Sequence, residues 1–583
     1  PAALPGNQLM LVWGKGACSQ NSSAGVFDAL GRPTPPSTSG FGQGVAMNVI
    51  TSLNMDTPGC DTGIYIASQI PSTHPNDLIE IVDSRQWHEI MPRAVVSYLE
   101  LHGIERPEII TRADQRSDHP ELAPGEPFGL LGAASITDRE THPRGGITFQ
   151  GEKQFNQQGT DTIDYDDAEL CGVRILGIFP NRDRLVHRDI ANVTGERVAI
   201  LGEFPARNFN PDGTPIVDPS GHPDTSFLVR MPANVPYLMQ GIDCQGRTLN
   251  TDQTWQHLRP GEQKTCGGCH VHSKPSRITF EQSFAATPAY TVPRLGEGEV
   301  PLLAGGPVDN VAIQTETGYG RQIEFTRDIK PIFDQHCIGC HGDVNPAAGL
   351  NLASTNGPND EPGTTWRCLV RDRGQSCVPP ELQVDTGAGG SGTTFRRPQL
   401  TRYIRALNAR GSLLYWKAAN QRSDNRTDAQ DPTDIDFGAD HPTSLSSEEL
   451  GLISRWIDTG AAGGSLEILD TQKPTLHMSA ADSPLSRLRI GTVDLGTGID
   501  SASLEVCRLD AVGNCINLAP AAAEHGVVEV DLGGVIDDPD AVIRASVRDL
   551  AGNLTEIEHT VGWLLAPGGG LLFSSGFEGN AVL

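Results

Sequence analysis

Residues Phe325–Gly342 read FTRDIKPIFDQHCIGCHG. The first half spaces Phe325, Ile329, Ile332 and Phe333 along one face of a helix. The second half ends in C-x-x-C-H, with Cys337, Cys340 and His341. The same pattern stands at Cys266, Cys269 and His270, inside CGGCHVHSKP (Cys266–Pro275). Two thiols one helical turn apart, followed by a histidine, suit thioether attachment of a haem c whose iron the histidine ligates from one face. The chain holds 12 cysteines and 16 histidines in 583 residues, so two chance copies of the pattern are not expected. Zinc is the competing reading. A zinc ribbon sets its two CxxC knuckles ~15–20 residues apart, whereas 67 residues lie between Cys269 and Cys337. Two covalently bound haem c groups are predicted, with His270 and His341 as proximal ligands.

The second site has a readable frame. Downstream lies DHPTSLSSEELGLISRWIDTGA (Asp440–Ala461). Ser446 and Glu449 form a capping box, and Leu445 and Leu450 take the staple positions. Leu450, Ile453, Trp456 and Ile457 make an apolar face, and Gly460 ends the helix. This helix–CxxCH–helix order resembles the small cytochrome c domains of planctomycete-type proteins, in which a methionine before the last helix ligates iron. Here His441 stands at that place. The resemblance implies ligation of the second iron by His341 and His441, and a low potential. His336 is expected at the surface.

The first site follows a β-rich stretch. Val235, Tyr237, Met239 and Ile242 read as a strand, with turns at Gln245-Gly246 and at RPGE (Arg259–Glu262). Candidate sixth ligands for this iron are His257, His187 and His272.

The stretches GVRILGIFP (Gly172–Pro180), ERVAILGEFP (Glu196–Pro205) and RPGEQKTCGGCHVHS (Arg259–Ser273) resemble the middle domain of the hydrazine synthase alpha subunit family. SLLYWKAANQRSDNRTDAQDPTDIDFGADHP (Ser412–Pro442) is similar to the same group, so the likeness runs from about Gly172 to Gly463. It implies a reaction-centre haem at Cys266, Cys269 and His270, and an electron-transfer haem at Cys337, Cys340 and His341. In that family a tyrosine shortly after the first CxxCH ligates the catalytic iron, and the motif histidine goes to zinc. Here VHSKPSRITF (Val271–Phe280) carries no tyrosine, and the next is Tyr290.

The net charge is −28. That excludes a basic nucleic-acid footprint and docking on anionic lipid. No run reaches the ~18 apolar residues of a membrane span. The start at Pro1 fits a processed or trimmed product, so nothing about targeting follows from it. Eight cysteines remain outside the two motifs, an even number that fits four disulfides and an oxidising compartment. CRLDAVGNC puts Cys507 and Cys515 on either side of a Gly-Asn turn, and CLVRDRGQSC does much the same for Cys368 and Cys377. Neighbourhood suggests Cys18 with Cys60 and Cys171 with Cys244. The Asp-rich loops Asn210–Asp224 and Asp428–Asp440 are candidates for Ca²⁺, although neither has EF-hand spacing.

The predicted organisation is multidomain and mainly β, with a small α-helical cytochrome c-like domain and a C-terminal β-sandwich. Residues 1–160 read as a β-rich N-terminal region, and 161–300 as a β-domain ending in the first haem site. A Pro/Gly-rich linker, Val292–Asn310, leads to a cytochrome c-like domain at 320–465. Residues 466–565 resemble bacterial immunoglobulin-like modules, with GID-x-x-SL and DLAGN signatures, and 566–583 form a tail. From residue 465 to the C-terminus there are 17 acidic and 6 basic residues, over a third of the net charge.

The leading expectation is an exported dihaem c-type cytochrome, periplasmic or extracellular, that carries electrons. Its partners would be a redox protein or neighbouring cytochrome subunits, including copies of itself. One alternative is a haem enzyme related to the hydrazine synthase alpha subunit, acting on a small nitrogen or oxygen compound at the first haem. Another is a structural, self-assembling surface cytochrome.

Overall fold

The computed structural model describes residues 2–4, 8–15, 61–67, 77–83, 119–139, 165–179, 197–252, 255–269, 275–353, 364–371, 403–430 except 406, 436–463, 472–520 and 522–565, with isolated residues at 92, 99, 148–149, 152–153, 163 and 470. The chain divides into two compact units, one built on Pro1–Ile109 and one holding the described residues from Ile110 onward. It is mainly β.

In the first unit, Ala2–Leu4, Gln8–Lys15, Asp61–Ala67 and Leu78–Val82 form an antiparallel sheet in sequential order. Tyr65 and Ala67 are buried while Ile64 and Ile66 are only partly so. That period of two is what a strand dictates.

The second unit opens with two sheets around one core. Four antiparallel strands lie in the order Thr248–Thr251, Tyr237–Ile242, Gly172–Phe179, Arg197–Pro205. A mixed sheet sets Phe128–Ala133 between Phe227–Pro232 and Gln263–Cys266, the last pairing in parallel. Phe128–Ala133 and Phe227–Pro232 are buried at every position, as strands covered on both faces are. Leu131, Ile175, Leu201, Phe204, Phe227, Val229 and Tyr237 meet in the shared core. A disulfide joins Cys171, at the start of one strand, to Cys244, in the turn after its neighbour.

The expected linker is instead part of this core. Glu299–Leu303 pairs with Ile313–Thr317 as a hairpin, and Leu295, Val300, Leu302 and Leu303 are buried. Apolar alternation outweighs the surrounding Gly and Pro, which occupy the bends.

Among the described residues four helices follow: α1 (Lys330–His336), α2 (Thr364–Arg371), α3 (Leu413–Ala419) and α4 (Ser447–Asp458). Phe325, Ile329, Ile332 and Phe333 are all buried, and Phe325 packs on both Phe333 and Trp456. The capping box is made: Ser446 Oγ accepts from the Glu449 N–H at 3.2 Å, and the Ser446 N–H donates to Glu449 Oε2 at 2.8 Å. Ile453, Trp456 and Ile457 are buried and Leu450 half-buried.

The C-terminal region sets a three-stranded sheet (Thr475–Ala480, Leu485–Val493, Gly526–Ile536) and a four-stranded sheet (Cys515–Pro520, Glu505–Leu509, Val542–Arg548, Leu554–Thr560) on one apolar core, closed by the short helix α5 (Val561–Leu565). Ile543, Ala545 and Val547 face inward, as their alternation requires. Cys507 and Cys515 are bonded across adjacent strands. The expected pairs Cys18–Cys60 and Cys368–Cys377, and the tail 566–583, rest on residues outside the described set. No described helix is long and apolar enough to cross a membrane.

Candidate functional site

Cys337 ends α1, and the chain then winds on so that the Cys340 and His341 amides both donate to the Cys337 carbonyl, at 3.1 and 2.9 Å. Neither cysteine is in a disulfide. Burial, with the Cys340 and Glu449 charges adding to it, pushes the Cys337 thiol up to about 11. His341 Nδ1 lies 3.1 Å from the Leu350 carbonyl.

His441 is held from the other side of the site by α3. The last carbonyls of a helix have no partner within it. Here the Lys417 carbonyl takes His441 Nδ1 at 2.9 Å, and the Ala418 carbonyl takes the Thr443 hydroxyl at 2.7 Å. Asn420, in the left-handed region at φ 50°, caps the same helix and accepts the His441 amide. The imidazoles of His341 and His441 stand 5.9 Å apart, centre to centre, at 38°. Two metal–imidazole bonds of about 2 Å would set ring centres at about this separation. In both rings Nδ1 is occupied by a backbone carbonyl, which leaves Nε2 for a metal. The residues present fit a haem iron between them.

His336 is not a surface residue. Its Nδ1 lies 2.9 Å from Ser444 Oγ and its Nε2 2.9 Å from Glu449 Oε1, with its side chain 13% exposed. It pins the end of α1 to the start of α4, because the cap residue Glu449 has a carboxylate oxygen to spare.

The first pair of thiols is positioned by strand pairing. Cys266 ends Gln263–Cys266, and its carbonyl accepts the Ala134 amide at 2.8 Å. The Cys269 amide donates to the Asp138 carbonyl at 2.9 Å. Between them, a Cβ at Gly267 would lie 2.0 Å from Ser276 Oγ, so the turn closes only with glycine there. Both cysteines pack on the core and neither is in a disulfide. Burial raises the Cys266 thiol, Lys264 opposes the rise and Asp252 adds to it. His257 is exposed. His270, His272 and His187 lie outside the described residues.

Tyr237 is fully buried, and its hydroxyl has no hydrogen-bond partner among the described residues. Burial raises its pKa, and the charges of Cys266, Glu262 and Asp252 add to that rise in this order. Tyr290, the next tyrosine in the chain after the motif, meets the Leu228 backbone instead.

Residues 216–271 match the family model described as the hydrazine synthase alpha subunit middle domain. Over 273 residues the chain is 27% identical to hydrazine synthase subunit alpha of Kuenenia stuttgartiensis, covering 41% of this chain and 31% of that protein. The likeness to the hydrazine synthase alpha subunit therefore rests on the segment around the first CxxC unit and on a distant relationship over 41% of the chain. It spans about a third of the length of that relative. A chain of the solved Kuenenia stuttgartiensis hydrazine synthase is 20% identical, over 58% of this chain and 44% of its own, with a TM-score of 0.39.

The four-stranded sheet, which shares its core with Cys266 and Cys269, is bolted to α4. Glu203 and Arg174 face each other on paired strands and bond at 2.8 Å. Arg455 of α4 reaches the same carboxylate through two bonds of 2.8 and 2.7 Å. Asp458, also of α4, accepts from the Thr248 and Ala409 amides at 2.9 and 2.7 Å. Burial works to raise both carboxyls. At Glu203 the two guanidiniums overcome it and the pKa falls, whereas at Asp458 burial outweighs Arg174 and the pKa rises. None of these four residues shows a periodic or motif signal. Tyr237 reads from sequence only as one apolar position of a strand.

Proposed function

We propose that this chain is a haem c redox enzyme of the hydrazine synthase alpha-like kind. In it Cys266, Cys269 and His270 carry a reaction-centre haem, and Cys337, Cys340, His341 and His441 a closed electron-relay haem. The observation that carries this reading is the difference between the two CxxC units. The second has two imidazoles 5.9 Å apart with Nδ1 tied back in each. At the first, Cys266 and Cys269 pack on the core that holds Tyr237, whose buried hydroxyl has no hydrogen-bond partner among the described residues. A closed iron passes electrons, whereas an iron with a vacant position can take a small molecule. The family relationship favours this reading over the expected plain electron carrier.

The substrate class is a small nitrogen or oxygen compound. When bound, haem would supply the redox chemistry. The chain's own part is to hold each attachment cysteine on a fixed strand or helix end, to orient His341 and His441, and to line the first site with a dry wall. The Glu203–Arg455 bolt ties α4, beside the second site, to the four-stranded sheet whose core Cys266 and Cys269 pack against. Two intramolecular disulfides support an exported, oxidising location. The C-terminal region is read as an immunoglobulin-like sandwich, and the strongly acidic surface suits a basic redox partner or further subunits.

Optical and EPR spectra of the purified protein, with and without carbon monoxide, test the reading. One low-spin haem and one high-spin haem that binds carbon monoxide are expected. Two low-spin haems that ignore carbon monoxide would return the protein to an electron carrier.

A further inference from the structure

Asp470, Asp494 and Asp549 come from three separate places in the C-terminal region: the segment before its first strand, the end of Leu485–Val493 and the end of Val542–Arg548. Each offers a carboxylate oxygen, and the three oxygens lie within 4.8 Å of one another. Asp494 and Asp549 are each 1% exposed and Asp470 is half-buried. Backbone and side-chain donors take up much of the set. Asp470 Oδ2 accepts from the Thr497 amide and hydroxyl at 2.7 and 2.8 Å. Asp549 accepts from the Asn553 amide and side chain at 2.8 and 2.7 Å. Asp494 Oδ2 accepts from the Gly496 and Gly498 amides at 3.0 and 2.7 Å. Its other oxygen, Oδ1, is sealed from solvent and meets no donor among the described residues.

Neutral donors do not cancel three negative charges. Asp494 is 1% exposed, shares the cluster with two further carboxylates, and its Oδ1 has no donor among the described residues. Buried charges persist when they are paired or coordinate a metal. We infer that Asp470, Asp494 and Asp549 form a calcium site. Calcium takes six to eight oxygens at about 2.3–2.6 Å in flexible cages built from protein carboxylates, whereas magnesium keeps most of its water. The loop geometry is made for the cluster: a Cβ on Gly496 would lie 2.2 Å from Asp470 Oδ2, so the loop closes over that carboxylate only with glycine there.

The site sits at a joint. Leu495, next to Asp494, is buried in the core that also holds Cys266, Cys269 and Tyr237. A cation at the triad would fix the loop that plugs the C-terminal region into the wall of the first haem site.

Calcium alone is the probe, added to the EDTA-treated full chain. Expected are a rise of several degrees in melting temperature with calcium, a much smaller one with magnesium, and one calcium per chain retained through gel filtration beyond that held by Asp494→Asn. The asparagine variant should melt no lower than wild type without metal, since it removes a repelled charge, and should lose the calcium response. A calcium response equal in wild type and Asp494→Asn overturns the site, as does no response in wild type. An equal response to magnesium overturns the assignment to calcium.

Discussion

His341 and His441, separated by a hundred residues of chain, turn their rings toward each other at 5.9 Å, each with its Nδ1 against a backbone carbonyl. Replacing His441 with methionine should keep the second haem low-spin and raise its midpoint potential by on the order of 100 mV, because thioether ligation favours the reduced iron. His441→Ala should turn the same haem high-spin and open it to carbon monoxide. A potential and spectrum unchanged in both variants would remove His441 from the iron.

Tyr237 carries the second expectation. A buried hydroxyl without a partner costs about 1–3 kcal/mol, so Tyr237→Phe should leave the fold as stable as before or raise stability by about 1 kcal/mol. If the phenol faces the first haem, the high-spin signals of that haem should shift while those of the second stay put. Unchanged spectra with unchanged stability would make Tyr237 a core residue alone.

Breaking the bolt should be expensive. Glu203→Gln leaves Arg174 and Arg455 buried with their shared charge removed, and a broken buried pair costs about 3–5 kcal/mol. Denaturant unfolding measures this. The double substitution Glu203→Leu with Arg455→Met should recover part of the loss, since it strands one guanidinium where Glu203→Gln strands two.

The parts of this arrangement that could be read from sequence are local. The Ser446–Glu449 box, the helix face at Ile453, Trp456 and Ile457, and the strand alternation at Ile543, Ala545 and Val547 each depend on neighbours within a few residues. His441 stands out in sequence because it precedes a capped helix, and the structure turns its ring toward His341. What escaped depends on distant partners. Glu203, Arg174, Arg455 and Asp458 look like surface charges until strand pairing buries them together. In the loop Asn210–Asp224, Asp212, Asp218 and Asp224 each hold the amide and hydroxyl of Thr214, Ser220 and Ser226 respectively. Among the described residues the carboxylates that do cluster are the scattered Asp470, Asp494 and Asp549.

His525 links the C-terminal region to the core of the first site and should make that joint sensitive to pH. It stacks on Tyr319 at 4.3 Å, and its Nε2 donates to the Gly296 carbonyl at 2.6 Å. Its Nδ1 is buried with no partner among the described residues. Burial lowers its pKa; the Gly296 carbonyl and Glu297 resist, and Arg230 adds to the fall. A histidine held neutral in the fold takes up its proton more readily when unfolded. Its contribution is therefore complete above the unfolded value of 6.5 and is lost as pH falls from there through the lowered folded value. Protonating Nδ1 in place would bury an N–H with nothing to accept it. Melting temperature should drop between pH 7 and 5 more steeply in wild type than in His525→Gln, which cannot titrate. Parallel curves for the two proteins would show that His525 does not govern the joint, and that the acid sensitivity belongs to carboxylates such as Asp328, whose pKa is lowered in the fold.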